Sequence, residues 1–202
     1  MRAGQANRTI RVVKVMALAL GALSLATAQV VQNPRVLLRT TSGSIELELF
    51  VQEAPVTVTN FLRYVDAGMF EDGRFFRSVR MDNQPDDSVK IEVIQAAISR
   101  ENSRMEYPPI PLERTSVTGI PHLDGTLSMA RAGPDTGTSS FSIMINDQPE
   151  LNFGGRRNPD GQGFAAFGHV TAGMDIARRI QAQPVENQQL RPAIRILRIV
   201  RK

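Results

Sequence analysis

Residues 44–50 read Ser-Ile-Glu-Leu-Glu-Leu-Phe, and their strict alternation limits the fold more than any other stretch of the chain. A period of two puts Ile45, Leu47 and Leu49 on one face and Glu46 and Glu48 on the other, the pattern of a strand buried on one side and wet on the other. The run before it, 36–40, ends at Thr41-Ser42-Gly43, so the two form a hairpin. Similar short runs recur at 75–80, 89–98, 127–131, 140–145, 164–170 and 193–202. Turn chemistry fills 132–139, and a Gly/Asn/Arg loop runs from Asn152 to Gly163. Pro108, Pro109, Pro111 and Pro121 keep 101–121 a loop. Helical spacing occurs twice. Pro55 suits a first helical turn, Val58, Phe61, Leu62 and Val65 recur on one face, and Gly68 ends the run; 174–182 is the second. Eight short strands with two helices and no repeat predict a mainly β domain. A closed eight-stranded antiparallel barrel is the expected form, because closure removes exposed edges. Side chains fill a barrel of that size, so a ligand must bind on its outer face.

The first 28 residues stand apart. Arg2, Arg8, Arg11 and Lys14 precede an apolar run at 15–26, and Ala26-Thr27-Ala28 supplies the small residues of a cleavage site. A signal peptide over 1–28 and a domain over 29–202 are expected, with cleavage between Ala28 and Gln29 and a periplasmic destination. The apolar run falls short of the roughly 20 residues that a membrane helix needs, so no stable insertion after cleavage is expected. Cysteine is absent, which removes disulfides, thiolate metal sites and thiol nucleophiles. The net charge of +4 comes from the leader: it holds four of the 24 basic residues and none of the 20 acidic ones, leaving 20 of each. A groove for nucleic acid needs an excess of positive charge, so no nucleic-acid partner is expected. His122 and His169 have no metal-ligand spacing and read as polar surface residues; no metal or cofactor is expected. Ser140, His122 and Asp124 make a hydrolase triad only on paper, with no G-x-S-x-G elbow beside them. The glycines of 152–163 lack the Lys-Ser/Thr ending of a phosphate loop and read as turn formers.

One segment carries more. Residues 125–170, from GTLSMARAGP to FAAFGHV, together with Phe75-Phe76-Arg77 and GMDIARRI at 173–180, resemble the cyclophilin family of peptidyl-prolyl isomerases. The resemblance covers about 35–200. It implies an eight-stranded barrel with a helix at each end, and an enzyme acting on Xaa-Pro bonds of unfolded or partly folded polypeptides. A monomer without cofactor, assisting folding in the cell envelope, is the expectation. The family's F-x-R arginine corresponds to Arg77, which the resemblance makes the catalytic residue. The family's P-G-F-M-x-Q-G-G motif is kept only in part at 91–97: Gln95 retains the substrate-orienting glutamine and Val93 still offers apolar surface, while Glu92 replaces Phe and Ala96-Ala97 replace two glycines. An insertion of about ten residues, MDNQPDDSVK, separates Arg77 from this strand.

The sharper departure is at 139–143, where the family reads S-Q-F-F-I and this chain reads Ser-Ser-Phe-Ser-Ile. Alternation puts Phe141, Ile143 and Ile145 in the core and Ser140 and Ser142 on the pocket face. An aromatic side chain buries about 150–250 Å², so its loss at 142 removes much of the grip on a proline ring. Glu150 stands where the family has Trp or Phe, and Phe164 where it has His or Tyr, so Phe164 is expected to refill the pocket from the opposite wall. Ala130, Arg131 and Leu151 match groove-lining positions. The expected substrate-binding set is therefore Val93, Ala130, Arg131, Ser140, Ser142, Leu151 and Phe164. Two readings stay open here: an isomerase, and a barrel with weak or lost catalysis that binds a peptide or protein on its serine face.

Overall fold

Apart from Met1, the computed structural model describes residues 32–85 and 87–202. The leader and its cleavage site fall, Met1 aside, outside that range. The chain opens with a hairpin of β1 (Arg35–Thr40) and β2 (Gly43–Leu49). Ile45, Leu47 and Leu49 are fully buried. Outside, Glu48 pairs with Arg35 at 2.8 Å and Glu46 with Lys202 at 2.7 Å. Gly43 has φ +134°, and a Cβ there would lie 2.7 Å from the Ile176 side chain, so the turn needs glycine.

Helix α1 (Pro55–Asp66) follows, with proline in its first turn. Ala54 gives it no side-chain cap, and the carboxylate of Glu113 accepts from the amides of Val56 and Thr57 at 3.0 and 2.7 Å. A negative group at a helix start satisfies free amides and opposes the helix dipole. Five more strands are β3 (Arg74–Val79), β4 (Val93–Ala97), β5 (Thr126–Met129), β6 (Phe141–Met144) and β7 (Ala165–Ala172). Between β4 and β5 lies α2 (Thr115–Thr118), and after β7 come α3 (Met174–Gln181), the two-residue β8 (Val185–Glu186) and β9 (Gln189–Arg201).

All strands pair antiparallel in the order β1-β2-β7-β5-β6-β4-β3-β9, and β9 returns to β1, closing eight strands into a barrel. The 13 residues of β9 make this possible: Gln189, Ile194 and Arg195 pair with β3, and Ile196 to Arg201 pair with β1. β8 adds only a short hairpin to its start. Inside, Phe61 of α1 meets Phe70, Phe141 and Phe167 with ring centroids 5.3–5.4 Å apart, filling the interior with aromatic side chains. No helix among the described residues is long and apolar enough to cross a membrane.

The structure differs from the sequence reading in detail. The single turn α2 lies in the proline-rich stretch, in its proline-free part, and Gly119 at φ +71° ends it. Residues 89–92 precede β4 instead of belonging to it. They are held by the buried Gln84, whose amide bonds Ile91 in both directions at 2.7 and 3.2 Å.

Candidate active site

β3 breaks simple alternation at one place, and the break makes the site. Phe75 pairs with Ala96 and Arg77 with Gln95, so β3 uses two residues where β4 uses one. The pairing with β9 breaks at the same place but the other way: Phe75 pairs with Ile194 and Arg77 with Gln189, so β9 carries the extra residues there. A bulge of this kind re-aims the side chains beyond it. Phe75 is therefore fully buried in the core, while Arg77, which strict alternation would also turn inward, lines a hollow on the outer surface. Register extends the row: Arg77 faces Gln95, Gln95 faces Ser142, and Ser142 faces Ser128. Four polar side chains from β3, β4, β6 and β5 thus stand side by side.

Beside this polar row lies an apolar one. Val79, Ile91, Val93, Met144 and Leu151 form a small cluster separate from the main core, with Phe164 packed on it. Val93 and Met144 are direct cross-strand partners. The two rows, with Ala130, Arg131 and Arg157 at the sides, enclose a hollow of about 210 Å³.

Three guanidinium groups reach this hollow, and they are not equivalent. The Arg131 side chain is 2% exposed and fully engaged: it makes a two-pronged pair with Asp160 at 2.7 and 2.9 Å, donates to the Gly163 carbonyl at 2.7 Å, and lies 5.0 Å from the Phe164 ring centre. Beside it the Asp160 carboxyl is held down at about 2. Arg157 pairs with Asp87 at 3.0 Å and donates to the Val89 carbonyl at 2.7 Å, tying the loop after Asn152 to the inserted loop. Among the described residues, Arg77 has only neutral acceptors. Its Nε and Nη2 donate to Gln188 Oε1 at 3.0 and 2.6 Å, and its Nη1 donates to Gln95 Oε1 at 3.3 Å. Burial pulls its pKa below the usual arginine value, the charge of Arg157 adds to this, and Asp87 opposes it. An arginine so placed stays protonated at neutral pH.

Beneath Ser128 is a buried polar chain. His122 Nε2 lies 2.9 Å from Ser128 Oγ, and its Nδ1 lies 2.8 Å from Asn152 Oδ1, which also accepts the His122 amide at 3.0 Å. The asparagine oxygen only accepts, so Nδ1 carries the hydrogen and Nε2 accepts from the serine. Burial lowers the His122 pKa to about 4, against the Asn152 bond that raises it.

Residues 35–201 match the family model described as cyclophilin type peptidyl-prolyl cis-trans isomerase/CLD. The chain belongs to the cyclophilin family. Among its relatives is peptidyl-prolyl cis-trans isomerase A of Dickeya dadantii, 34% identical over 182 residues that cover 90% of this chain and 88% of the relative. A peptidyl-prolyl cis-trans isomerase of Acinetobacter baylyi is 32% identical, covering 85% and 84%. In fold, the chain is similar to a crystal structure of a Cryptosporidium parvum cyclophilin type peptidyl-prolyl cis-trans isomerase. The TM-score is 0.68 at 21% identity, over 84% of this chain and 98% of that one. Another structure of that protein is described as in the presence of the dipeptide Ala-Pro.

In this cyclophilin the hollow gathers Arg77, Gln95, Val93, Ala130, Arg131, Ser142, Leu151 and Phe164, which lie far apart in sequence. Ser140 is not among its lining residues. Alternation does reach Ser140, half-buried between the buried Ser139 and Phe141, and its carbonyl accepts the Ala130 amide at 2.9 Å, but it lies beyond the edge of the hollow. His122, expected on the surface, is 1% exposed. Glu92 turns from the hollow to the Asn146 amide at 2.8 Å, and Glu150 turns to Arg156. Sequence reasoning missed Ser128, Met144, Arg157 and Gln188. Ser128 and Met144 were open to the period-two argument, since they share outward faces with residues already assigned. Arg157 and Gln188 sit in a long loop and a turn, where no periodicity operates.

The role expected of Phe164 has a direct test. Its ring packs on the apolar cluster beside the missing aromatic position, so Phe164→Ala removes much of the remaining apolar wall. Losing roughly 60 Å² of contact at about 25 cal/mol per Å² is worth about 1.5 kcal/mol. The expected result is a KM for a proline peptide raised about tenfold with kcat little changed; an unchanged KM would count against Phe164 as a wall of the pocket.

Proposed function

We propose that Arg77 loosens the Xaa-Pro bond while Gln95 orients the peptide and Val93, Ala130, Leu151 and Phe164 hold the proline ring. Amide resonance sets a barrier of about 18–20 kcal/mol to this rotation, giving uncatalysed times of tens to hundreds of seconds. The isomerase forms no covalent bond. It lowers the barrier by binding the twisted amide more tightly than the planar one. As conjugation is lost the prolyl nitrogen regains its lone pair, and a fixed donor with positive charge beside it stabilises that state. The observation that carries this assignment is the pairing of the three arginines. Asp160 and Asp87 balance Arg131 and Arg157, whereas Arg77 is held by two carboxamides and keeps its charge for the substrate.

Ser142 and Ser128 give the hollow a polar floor, so the ring is gripped from one side only, by the cluster that carries Phe164. We further propose that residues 1–28 direct export, that cleavage follows Ala28, and that the clients are proline-containing, incompletely folded polypeptides of the periplasm, met by a monomer. The basic start, apolar run and small-residue site support that reading. The test is a protease-coupled assay on a short Ala-Pro peptide, with Ser142→Phe beside the parent. The parent accelerates isomerisation above background, and restoring an aromatic floor lowers KM. A parent rate at background, with Ser142→Phe equally inert, would overturn the assignment of this hollow.

A further inference from the structure

We infer that Gln188 is a positioning residue for this reaction, one that fixes the Arg77 guanidinium while leaving its charge uncompensated. The inference rests on the catalytic role proposed above for Arg77. Gln188 is not among the residues lining the hollow and acts through the arginine.

Asn187 and Gln188 form the two-residue turn between β8 and β9, with φ of 49° and 65°. Both central residues of such a tight hairpin take left-handed backbone, where glycine, asparagine and aspartate are favoured. Asn187 fits that preference. Glutamine does not: it carries the same Cβ crowding as asparagine, but its longer side chain lacks the local hydrogen bond that offsets it. The turn alone gives no reason for glutamine at 188. The side chain does. Its Oε1 accepts from Nε and Nη2 of Arg77 at 3.0 and 2.6 Å, bridging the edge of the guanidinium plane.

The amide is itself held. Gln188 Nε2 donates to the Asn83 carbonyl at 3.1 Å, and the Gln188 carbonyl accepts the Ser78 amide at 2.9 Å. Two guanidinium N–H groups on one side and a carbonyl on the other leave one orientation of the carboxamide, oxygen toward Arg77. Asn83 is pinned in turn, donating to the Ser78 carbonyl at 3.0 Å and accepting the Arg80 amide at 2.8 Å. The start of the inserted loop and the β8–β9 turn thus clamp Arg77 from the side away from Gln95.

The chemical choice at 188 matters as much as the reach. A carboxylate there would bond the same two nitrogens more strongly, as Asp160 does for Arg131. It would also cancel the positive charge that the prolyl nitrogen is to meet. The amide supplies geometry without neutralisation.

Three substitutions separate these contributions in the protease-coupled assay on an Ala-Pro peptide. Gln188→Asn keeps an amide and suits left-handed backbone better, but falls one methylene short of Arg77. Melting temperature is expected to hold or rise while kcat falls about tenfold and KM moves less than twofold. Gln188→Ala lowers kcat to a similar degree. Gln188→Glu keeps the reach and lowers kcat at least as far, through charge pairing. On an Arg77→Ala background none of the three has a further effect, because a positioning residue acts only through its partner. Parent kcat in all three single variants, with Arg77→Ala still strongly impaired, overturns the positioning inference alone. So does a fall of equal size on both backgrounds, which would mark a structural role. Unchanged turnover in Arg77→Ala removes the catalytic reading, and this inference with it.

Discussion

Replacing Arg77 by alanine is expected to lower kcat for an Ala-Pro peptide by about 10²–10³, the range found when one fixed donor to a developing charge is removed. KM should change little, because the apolar cluster under Phe164 and the serine floor remain in place. A fall in kcat and kcat/KM together, at constant KM, is the signature of an interaction made in the transition state. Arg77→Lys sharpens the point. Lysine keeps the charge but replaces a planar fork by a single ammonium, which does not bond Gln188 and Gln95 in the same geometry. Its rate should lie between parent and alanine, nearer the alanine variant if placement dominates and nearer the parent if charge does. The folded state should tolerate either change, since Gln95 and Gln188 lie at a solvent-accessible surface and find water in place of the guanidinium. A variant without the arginine that turns over within twofold of the parent would show that the hollow works by another group.

The architecture was largely legible because its signals are local. The alternation of Ile45, Leu47 and Leu49 needs no partner to be read, and the same holds for Phe141 and Ile143 on β6 and Ile145 just after it, all buried as the spacing implies. The site was legible only where a motif stood for geometry. Arg77 could be picked from Phe75-Phe76-Arg77 by resemblance, yet alternation alone would have turned it into the core beside Phe75. The bulge that turns it out is a property of how β3 pairs with both β4 and β9. Gln188 lies 111 positions from Arg77, in a turn whose backbone preference argues for a different residue. Asp87 and Arg157 meet across two loops that have no period to read. Ser140 shows another limit: burial alternates through it as the period implies, yet the hollow ends before it, and how far a pocket extends is not written in a period.

His122 offers the second large effect, on stability and its dependence on pH. The ring is buried and neutral, and burial lowers its pKa to about 4 from the ordinary histidine value of 6.5. The unfolded chain therefore takes up a proton on this side chain between those two values while the folded protein does not. Acidification in that window favours the unfolded state, and stability falls as pH drops from 6.5 to 4 and levels below it. A difference of that size corresponds to about 3 kcal/mol at the bottom of the window. The lowered carboxyls, Glu48, Asp66, Glu150 and Asp160, lose their contributions further down as they are protonated. Their effects are shared by parent and variant, so the difference between the two isolates the histidine. His122→Gln keeps one donor and one acceptor for Asn152 and Ser128 without a titrating group. Denaturant midpoints measured from pH 7 to pH 4 should therefore fall more steeply for the parent than for His122→Gln, with the curves converging or crossing near pH 4. Parallel curves would mean that the imidazole is already protonated or solvated in the folded protein. Near pH 4 the folded protein takes up a proton on this ring as well, and there it reaches the active site. Protonated Nε2 must donate, so Ser128 Oγ turns from giving a hydrogen bond to accepting one, and its hydrogen is freed toward the floor of the hollow. Loss of turnover in the folded protein centred near pH 4, below most of the window in which stability falls, and absent in His122→Gln, would tie the buried chain of Asn152, His122 and Ser128 to the shape of the proline pocket.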